Sequence, residues 1–211
     1  MEDDRKYPCR YTYEELTAAV EKKGPGNIGC TRDFSVIMLM VDDELIFEVR
    51  SDTIKRQPGE ICFPGGMKEP GETDIECALR ETSEELGIDR DDISIGAKVG
   101  TLATYSGNAI NVYLGRIDRE TFKNMEPAVI EVKEVFTVPL GFFIENDPEV
   151  YYSRIYSHPD DAFPVKKVGY PEGYPWSVGR GEIPIYEYEG YIIWGITGRI
   201  IKYFTESIKG E

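Results

Sequence analysis

The chain has 211 residues, 41% of them hydrophobic, with 24 Lys and Arg against 39 Asp and Glu, a formal net charge of −15. That length suits one α/β domain with insertions. The negative balance argues against a nucleic-acid or anionic-membrane partner, because phosphates would go unneutralised, and an anionic substrate then needs metal ions and a few placed basic residues.

The opening MEDDRKYPCRYTYEEL lacks the apolar stretch of a signal peptide, and no later segment approaches transmembrane length, so a cytoplasmic protein is expected. Thr12-Tyr13-Glu14-Glu15 reads as the start of a short amphipathic helix to about Glu21, stopped by KKGPGNIG. Residues 1–30 are therefore read as a helical extension ahead of a domain spanning 31–211. Phe34 to Met40 and Glu44 to Arg50 are apolar runs around Asp42-Asp43, the pattern of a hairpin. Pro58-Gly59 marks a turn, and Ile61-Cys62-Phe63 a brief strand leading into Pro64-Gly65-Gly66.

A helix follows. Thr73-Asp74-Ile75-Glu76 has the form of a capping box, and Gly87 supplies a stop. Ile75, Ala78, Leu79, Thr82 and Leu86 recur at helical spacing and predict a core-facing stripe. Glu81 and Glu85 are i and i+4, with Glu84 at i+3, so three carboxylates crowd together and repel unless a cation sits among them. Magnesium is commonly held by a few carboxylates plus substrate phosphates, which makes a metal site for a phosphorylated substrate the functional reading. A solvated acidic helix face is the plain alternative.

Beyond this helix, Ile93 to Leu102 and Ile110 to Ile117 predict strands around the Ser106-Gly107-Asn108 turn, and Glu134 to Leu140 another. Residues 145–182, rich in Pro, Gly, Tyr and Asp, predict an irregular insertion with room for short strands: a lid, a binding element or a surface excursion. Ile183 to Tyr188 and Tyr191 to Trp194 read as a hairpin before a closing helix from about Gly195 to Ser207. Cys9, Cys30, Cys62 and Cys77 are scattered without a C-x-x-C pair, so neither a zinc site nor a disulfide framework is expected, and Cys62 and Cys77 suit small core positions. The single histidine, His158, falls in the irregular stretch, which leaves the chemistry to carboxylates and metal. Strands interspersed with a few helices predict an α/β or α+β architecture, a mixed sheet covered by helices on both faces.

Residues 66–88 resemble the Nudix box, G-x5-E-x7-R-E-U-x-E-E-x-G-U with U a bulky apolar residue. Gly66, Glu72, Arg80, Glu81, Glu84, Glu85, Gly87 and Ile88 match, and Thr82 departs at the first U. Arg50 to Gly66 is similar to the extra motif of coenzyme A pyrophosphatases, L-L-T-x-R-S/A-x3-R-x3-G-x3-F-P-G-G, at Arg50, Ser51, Gly59, Phe63, Pro64, Gly65 and Gly66. Lys55 stands where that motif has Arg, with Arg56 beside it, and Phe47-Glu48 differs from the motif's opening. Lysine keeps the charge but lacks the planar fork that grips phosphate in two places. Ile193 to Ile200 is similar to the I-W-G-L-T-A-R-I segment of the same subgroup, and Glu131 to Leu140 resembles its E-V-x-E-V-F-x-V-P-L.

The resemblance implies a Nudix fold with an added C-terminal hairpin and helix. It implies magnesium- or manganese-dependent cleavage of CoA or acyl-CoA to 3′,5′-ADP and (acyl-)4′-phosphopantetheine, and a possible homodimer. Glu81 and Glu85 would ligate metal with Glu84 sharing that work, and the Gly65 carbonyl would complete the shell. Glu72 would act through a second metal or hold the loop, and Arg80 would orient Glu81. Arg50, Ser51, Lys55, Arg56, Gly59, Phe63 and Gly66 would meet the substrate. The base is left open between a box glutamate and an outside carboxylate such as Glu131 or Glu134. Two alternatives stand: a pyrophosphatase for ADP-ribose or NADH, and a non-catalytic nucleotide sensor.

Overall fold

The computed structural model describes residues 11–23, 27–170 and 173–210. Cys9 and residues 24–26 of the expected helix stop lie outside the described residues. The chain divides into two compact units, Met1–Cys30 and Thr31–Glu211. The first holds α1 (Tyr13–Lys23), opened by the expected box: Thr12 N–H donates to Glu15 Oε2 at 2.8 Å and Glu15 N–H to Thr12 Oγ1 at 3.2 Å.

The second unit is built on a seven-stranded sheet. Its strands are β1 (Arg32–Val41), β2 (Glu44–Arg50), β3 (Ile61–Cys62), β4 (Gly65–Met67), β5 (Ser94–Ala103), β6 (Asn108–Ile117) and β7 (Val132–Pro139). The order is β3-β2-β1-β6-β5, with β4 paired to β1 and β7 to β2. β1 and β6 run parallel from Arg32↔Asn108 to Val41↔Ile117 and the other pairs are antiparallel, so the sheet is mixed, as expected. The β1–β2 hairpin turns at Asp42 (φ 53°) but pairs only Met40↔Leu45 and Val41↔Glu44. Farther back, β4 occupies the edge of β1, and β7 takes β2 from Glu44↔Pro139 to Arg50↔Val132.

Both faces of the sheet are covered, which explains why β1 reads as a continuous apolar run. Ile37, Leu39, Val41 and Ile46 pack under α2 (Asp74–Leu86) with Ala78 and Leu86. Met38, Leu45, Phe47 and Val49 face the opposite layer. There Phe143 comes from α4 (Leu140–Glu145), Tyr186 from β9 (Gly179–Tyr188), Ile193 from β10 (Tyr191–Trp194), and Ile200 and Ile201 from α5 (Gly195–Lys209). Phe47 stacks between Phe63 and Phe136, with ring centroids 4.9 and 5.5 Å away. Each such fully buried side chain contributes about 1.5–3 kcal/mol, so these two clusters set the spacing of the layers around the site.

Three expectations need amendment. Ile75, assigned to the core stripe, is 40% exposed, and Cys77 is buried instead. Ile75 lies in the first turn of α2, whose core contacts begin with Cys77 and Ala78. Leu140 ends no strand: Pro139 closes β7, and Leu140 starts α4, whose apolar sequence LGFFIE carries no amphipathic pattern to reveal it. α3 (Arg119–Lys123) was not expected either, although Asp118 caps it by accepting the Thr121 N–H at 2.7 Å. The 145–182 stretch holds a short strand of the kind it had room for: β8 (Glu149–Ile155) pairs with β9 from Glu149↔Ile185 to Ile155↔Gly179 and extends the terminal hairpin to three strands.

Candidate active site

The acidic helix is held at both ends by its own sequence. Thr73 Oγ1 accepts the Glu76 N–H at 3.2 Å, and Glu76 Oε2 accepts the Thr73 N–H at 2.7 Å. Gly87 takes a left-handed conformation (φ 64°) and returns its N–H to Ser83 O. A side chain at Gly87 would strike the Glu126 carbonyl, so this stop is required by packing as well as by backbone freedom.

The three glutamates then diverge. Glu85 is 4% exposed, and its Oε2 accepts the Gly65 N–H at 2.8 Å. Burial pushes its carboxyl well above the ordinary range, and repulsion from Glu48 adds to this. Glu81 is half-buried, and its carboxyl is also raised by burial, against the opposing pull of Arg80. Glu84 is largely solvent-exposed and pairs with Arg80 at 3.3 Å and Arg90 at 3.9 Å.

Arg80 organises this face. Its Nε donates to Glu72 Oε1 at 2.6 Å and its Nη2 to Glu72 Oε2 at 3.1 Å, a two-point clasp. Nη1 donates to Glu81 Oε1 at 2.9 Å and to Glu84 Oε2 at 3.3 Å, while Nη2 also reaches Met67 O at 3.3 Å. Glu72 accepts the Glu69 N–H as well, so it ties the loop before α2 to the helix. The Arg80 bond, then the Glu69 bond, hold the Glu72 carboxyl down at about 2.

Glu81 and Glu85 border a cavity of about 420 Å³ whose lining also includes Arg50, Arg56, Phe63, Gly65, Gly66 and Glu131. Trp194 and Thr197 close it from the C-terminal side, and Thr197 Oγ1 is fixed by donating to Ile61 O at 2.9 Å. The glycines are demanded by close approach. Gly65 sits at φ 144° with Ser35 O where a Cβ would stand, and a Cβ on Gly66 would meet the Glu81 carboxylate.

Not every expected residue reaches the cavity. Lys55 is exposed and outside the lining, whereas its neighbour Arg56 is within it. Ser51 is buried beside Thr53 Oγ1 at 2.9 Å, and its N–H donates to Glu131 O at 2.8 Å, so it anchors the segment that carries Glu131. Gly59, at φ 73°, donates its N–H to Arg50 O and shapes the loop. Glu72 and Glu84 lie outside the lining too. Of the two outside carboxylates, Glu131 lines the cavity, while Glu134 accepts the Tyr191 hydroxyl at 2.5 Å. His158 is exposed.

Sequence reasoning missed Glu48. It lies on β2, on the α2 face of the sheet between Ile46 and Arg50, and is 1% exposed. Cys62, expected as a plain core residue, lines the cavity and donates its thiol to Glu48 Oε1 at 3.2 Å. Among the described residues Glu48 Oε2 has no hydrogen-bond partner, and Glu48 itself lies outside the cavity lining, next to Cys62 within it. The only available signal was an acid at an inward position of the otherwise apolar run ELIFEVR.

Among the described residues no three His, Cys, Asp or Glu side chains close into a ready-made metal cage. A hard divalent ion that keeps waters and substrate oxygens needs only one or two carboxylates. The donor chemistry fits such an ion: Glu81, Glu85 and Glu48 are acids raised by burial, Glu85 also by the charges of Glu48 and Glu81, and among the described residues one buried Glu48 oxygen is unpartnered.

Residues 31–143 match the NUDIX domain family. The chain is 39% identical over 111 residues to "Peroxisomal coenzyme A diphosphatase NUDT7" of Mus musculus, covering 52% of this chain and 45% of that protein. It is 31% identical over 123 residues to "Peroxisomal coenzyme A diphosphatase ndx-8" of Caenorhabditis elegans, covering 54% and 52%. Among solved structures it is similar to a C. elegans Ap4A hydrolase binary complex, at TM-score 0.44 and 18% identity, over 53% of this chain and 83% of that one. The chain spans about half the length of the curated relatives it matches.

Proposed function

The chain belongs to the NUDIX domain family, and from that premise we propose that it hydrolyses the pyrophosphate bond of CoA or acyl-CoA, releasing 3′,5′-ADP and (acyl-)4′-phosphopantetheine. Nudix hydrolases generally use divalent metals, and magnesium or manganese is the ion proposed here. One observation carries the reading: a single cavity is lined both by desolvated acids, Glu81 and Glu85, and by two guanidinium-bearing residues, Arg50 and Arg56. That is a site for a cation and a polyanion together. The likeness to two CoA diphosphatases supports the choice of substrate.

A divalent ion held there would screen pyrophosphate charge and acidify an attacking water. Glu81 and Glu85 would hold it, with the Gly65 carbonyl beside them. Arg80 keeps Glu81 turned inward through its 2.9 Å bond, and Glu72 fixes Arg80 in turn. Glu84, on the solvent side of Arg80, would act by balancing that guanidinium. Arg50 and Arg56 would grip substrate phosphates, and Phe63 and Trp194 would offer apolar walls. Glu131 is the proposed base, because its carboxylate borders the cavity, whereas Glu134 is engaged by Tyr191.

The placement of Lys55 outside the cavity favours a second reading, cleavage of ADP-ribose or a dinucleotide, since the motif's second cation does not reach the site. A product assay with CoA, acetyl-CoA, ADP-ribose and NADH under magnesium or manganese separates the two. Release of 3′,5′-ADP from the CoA compounds alone supports the first reading, and cleavage of ADP-ribose or NADH with CoA untouched overturns it. A homodimer and a cytoplasmic location accompany this reading as expectations. Among the described residues no helix is long and apolar enough to cross a membrane.

A further inference from the structure

We propose that Glu48 is an additional metal ligand of this site, a carboxylate outside the acidic helix that joins Glu81 and Glu85 around the divalent cation through its unpartnered Oε2. The inference rests on the metal-dependent reading above and extends it to a residue on a different element of the fold.

Four observations converge on this assignment. Glu48 is 1% exposed, in the middle of a strand whose other inward residues are apolar. Its two oxygens are served unequally: Oε1 accepts a thiol hydrogen bond from Cys62 at 3.2 Å, a weak donor, and Oε2 accepts none. Arg50 Nη1 stands 4.0 Å from Oε1 and Arg50 also borders the substrate cavity, so it does not neutralise the acid at hydrogen-bonding distance. Finally, Cys62, which holds Oε1, lines the same cavity as Glu81 and Glu85, and the Glu85 carboxyl feels the charge of Glu48 and Glu81.

A buried, half-satisfied carboxylate facing two more carboxylates is costly for a fold to keep without a partner. Position 48 is also one at which the chain departs from the CoA pyrophosphatase motif, which has the uncharged residue Thr there. A threonine would remove one of the three mutually repelling charges. The glutamate is therefore not explained by packing. It is explained by a cation that all three acids share, and a hard divalent ion accepts such an oxygen set.

The test is metal affinity, measured by calorimetry with Mn²⁺ alone on wild type, Glu48→Gln, Glu48→Thr and Glu85→Gln, with thermal melts of each in chelator and in metal. Loss of Glu48 is expected to weaken Mn²⁺ binding about ten- to a hundredfold and to shrink the metal-induced rise in Tm. The Tm in chelator should stay the same or rise, because repulsion is relieved. Wild-type affinity in both Glu48 variants, with binding impaired in Glu85→Gln, overturns the role of Glu48 alone. Wild-type affinity in all three overturns the metal reading as well. Should the Glu48 variants not fold, crystals of the wild-type chain soaked in Mn²⁺ decide the matter. An anomalous peak within about 2.2 Å of Glu48 Oε2 supports the assignment, and a peak ligated by Glu81 and Glu85 without Glu48 overturns it.

Discussion

Glu85 Oε2 accepts the backbone N–H of Gly65 at 2.8 Å, joining the last turn of α2 to the start of β4 across 20 residues of chain. The bond places a buried acid beside the glycine loop at the mouth of the cavity. Glu85→Gln keeps an oxygen to accept that N–H and removes only the charge. Turnover should fall by several orders of magnitude while the protein remains folded, with a Tm in chelator no lower than that of wild type. Product release and a thermal melt in EDTA check both halves.

The two glycines beside this bond should fail differently. Gly65→Ala puts a Cβ into Ser35 O and the Val36 Cα at a backbone angle of φ 144°, and the β1–β4 pairing cannot yield cheaply. A loss of about 1–3 kcal/mol or more in denaturant unfolding is expected. Gly66→Ala meets the end of a flexible side chain, the Glu81 carboxylate, which can swing away. Stability should change little, and metal affinity and turnover should drop, as seen by comparing denaturant curves with Mn²⁺ titrations.

Arg80 and Glu72 give a pH signature. The clasp lowers the Glu72 carboxyl from 4.5 to about 2. A group whose folded value lies below its unfolded one adds stability above the unfolded value and loses it as pH falls through the folded one. Wild type should therefore be more stable than Glu72→Gln at neutral pH, and the gap should close between about pH 4.5 and 2. Thermal melts of the pair across that range test the sign. A constant gap would show that the clasp is not what Glu72 contributes.

The basic residues in and beside the extra motif should separate by position. Arg50→Ala and Arg56→Ala remove cations that border the cavity, and each should raise the KM for CoA about ten- to a hundredfold, the scale of a charge-assisted hydrogen bond. Lys55→Ala, one residue away but outside the lining, should change KM far less. Steady-state kinetics on the three variants with one CoA substrate is sufficient.

Much of the site was legible because its signals are local. The capping box at Thr73 and Glu76, the stop at Gly87 and the i, i+3, i+4 spacing of Glu81, Glu84 and Glu85 are each written within about one helical turn. A turn of helix forms from near neighbours, so the pattern predicts the geometry. The strands were legible for a similar reason: β1 and β6 carry apolar runs that only a doubly covered sheet can bury.

What the sequence by itself determined is the acidic helix, the mixed sheet and the stock of acids and cations near Gly65 and Gly66. Only the tertiary structure decided which of them meet. Glu84, one residue from Glu85, points to solvent, while Glu85 is sealed beneath the helix, because the layer contacts of α2 fix its rotation over the sheet. Arg56 lines the cavity and Lys55 does not, although both sit in the loop closed by the Gly59 to Arg50 bond. Glu48 is buried by strands on either side of β2, one ending at Cys62 and the other running from Val132 to Pro139. No local pattern can announce such a burial, since the residues that cause it lie far away along the chain.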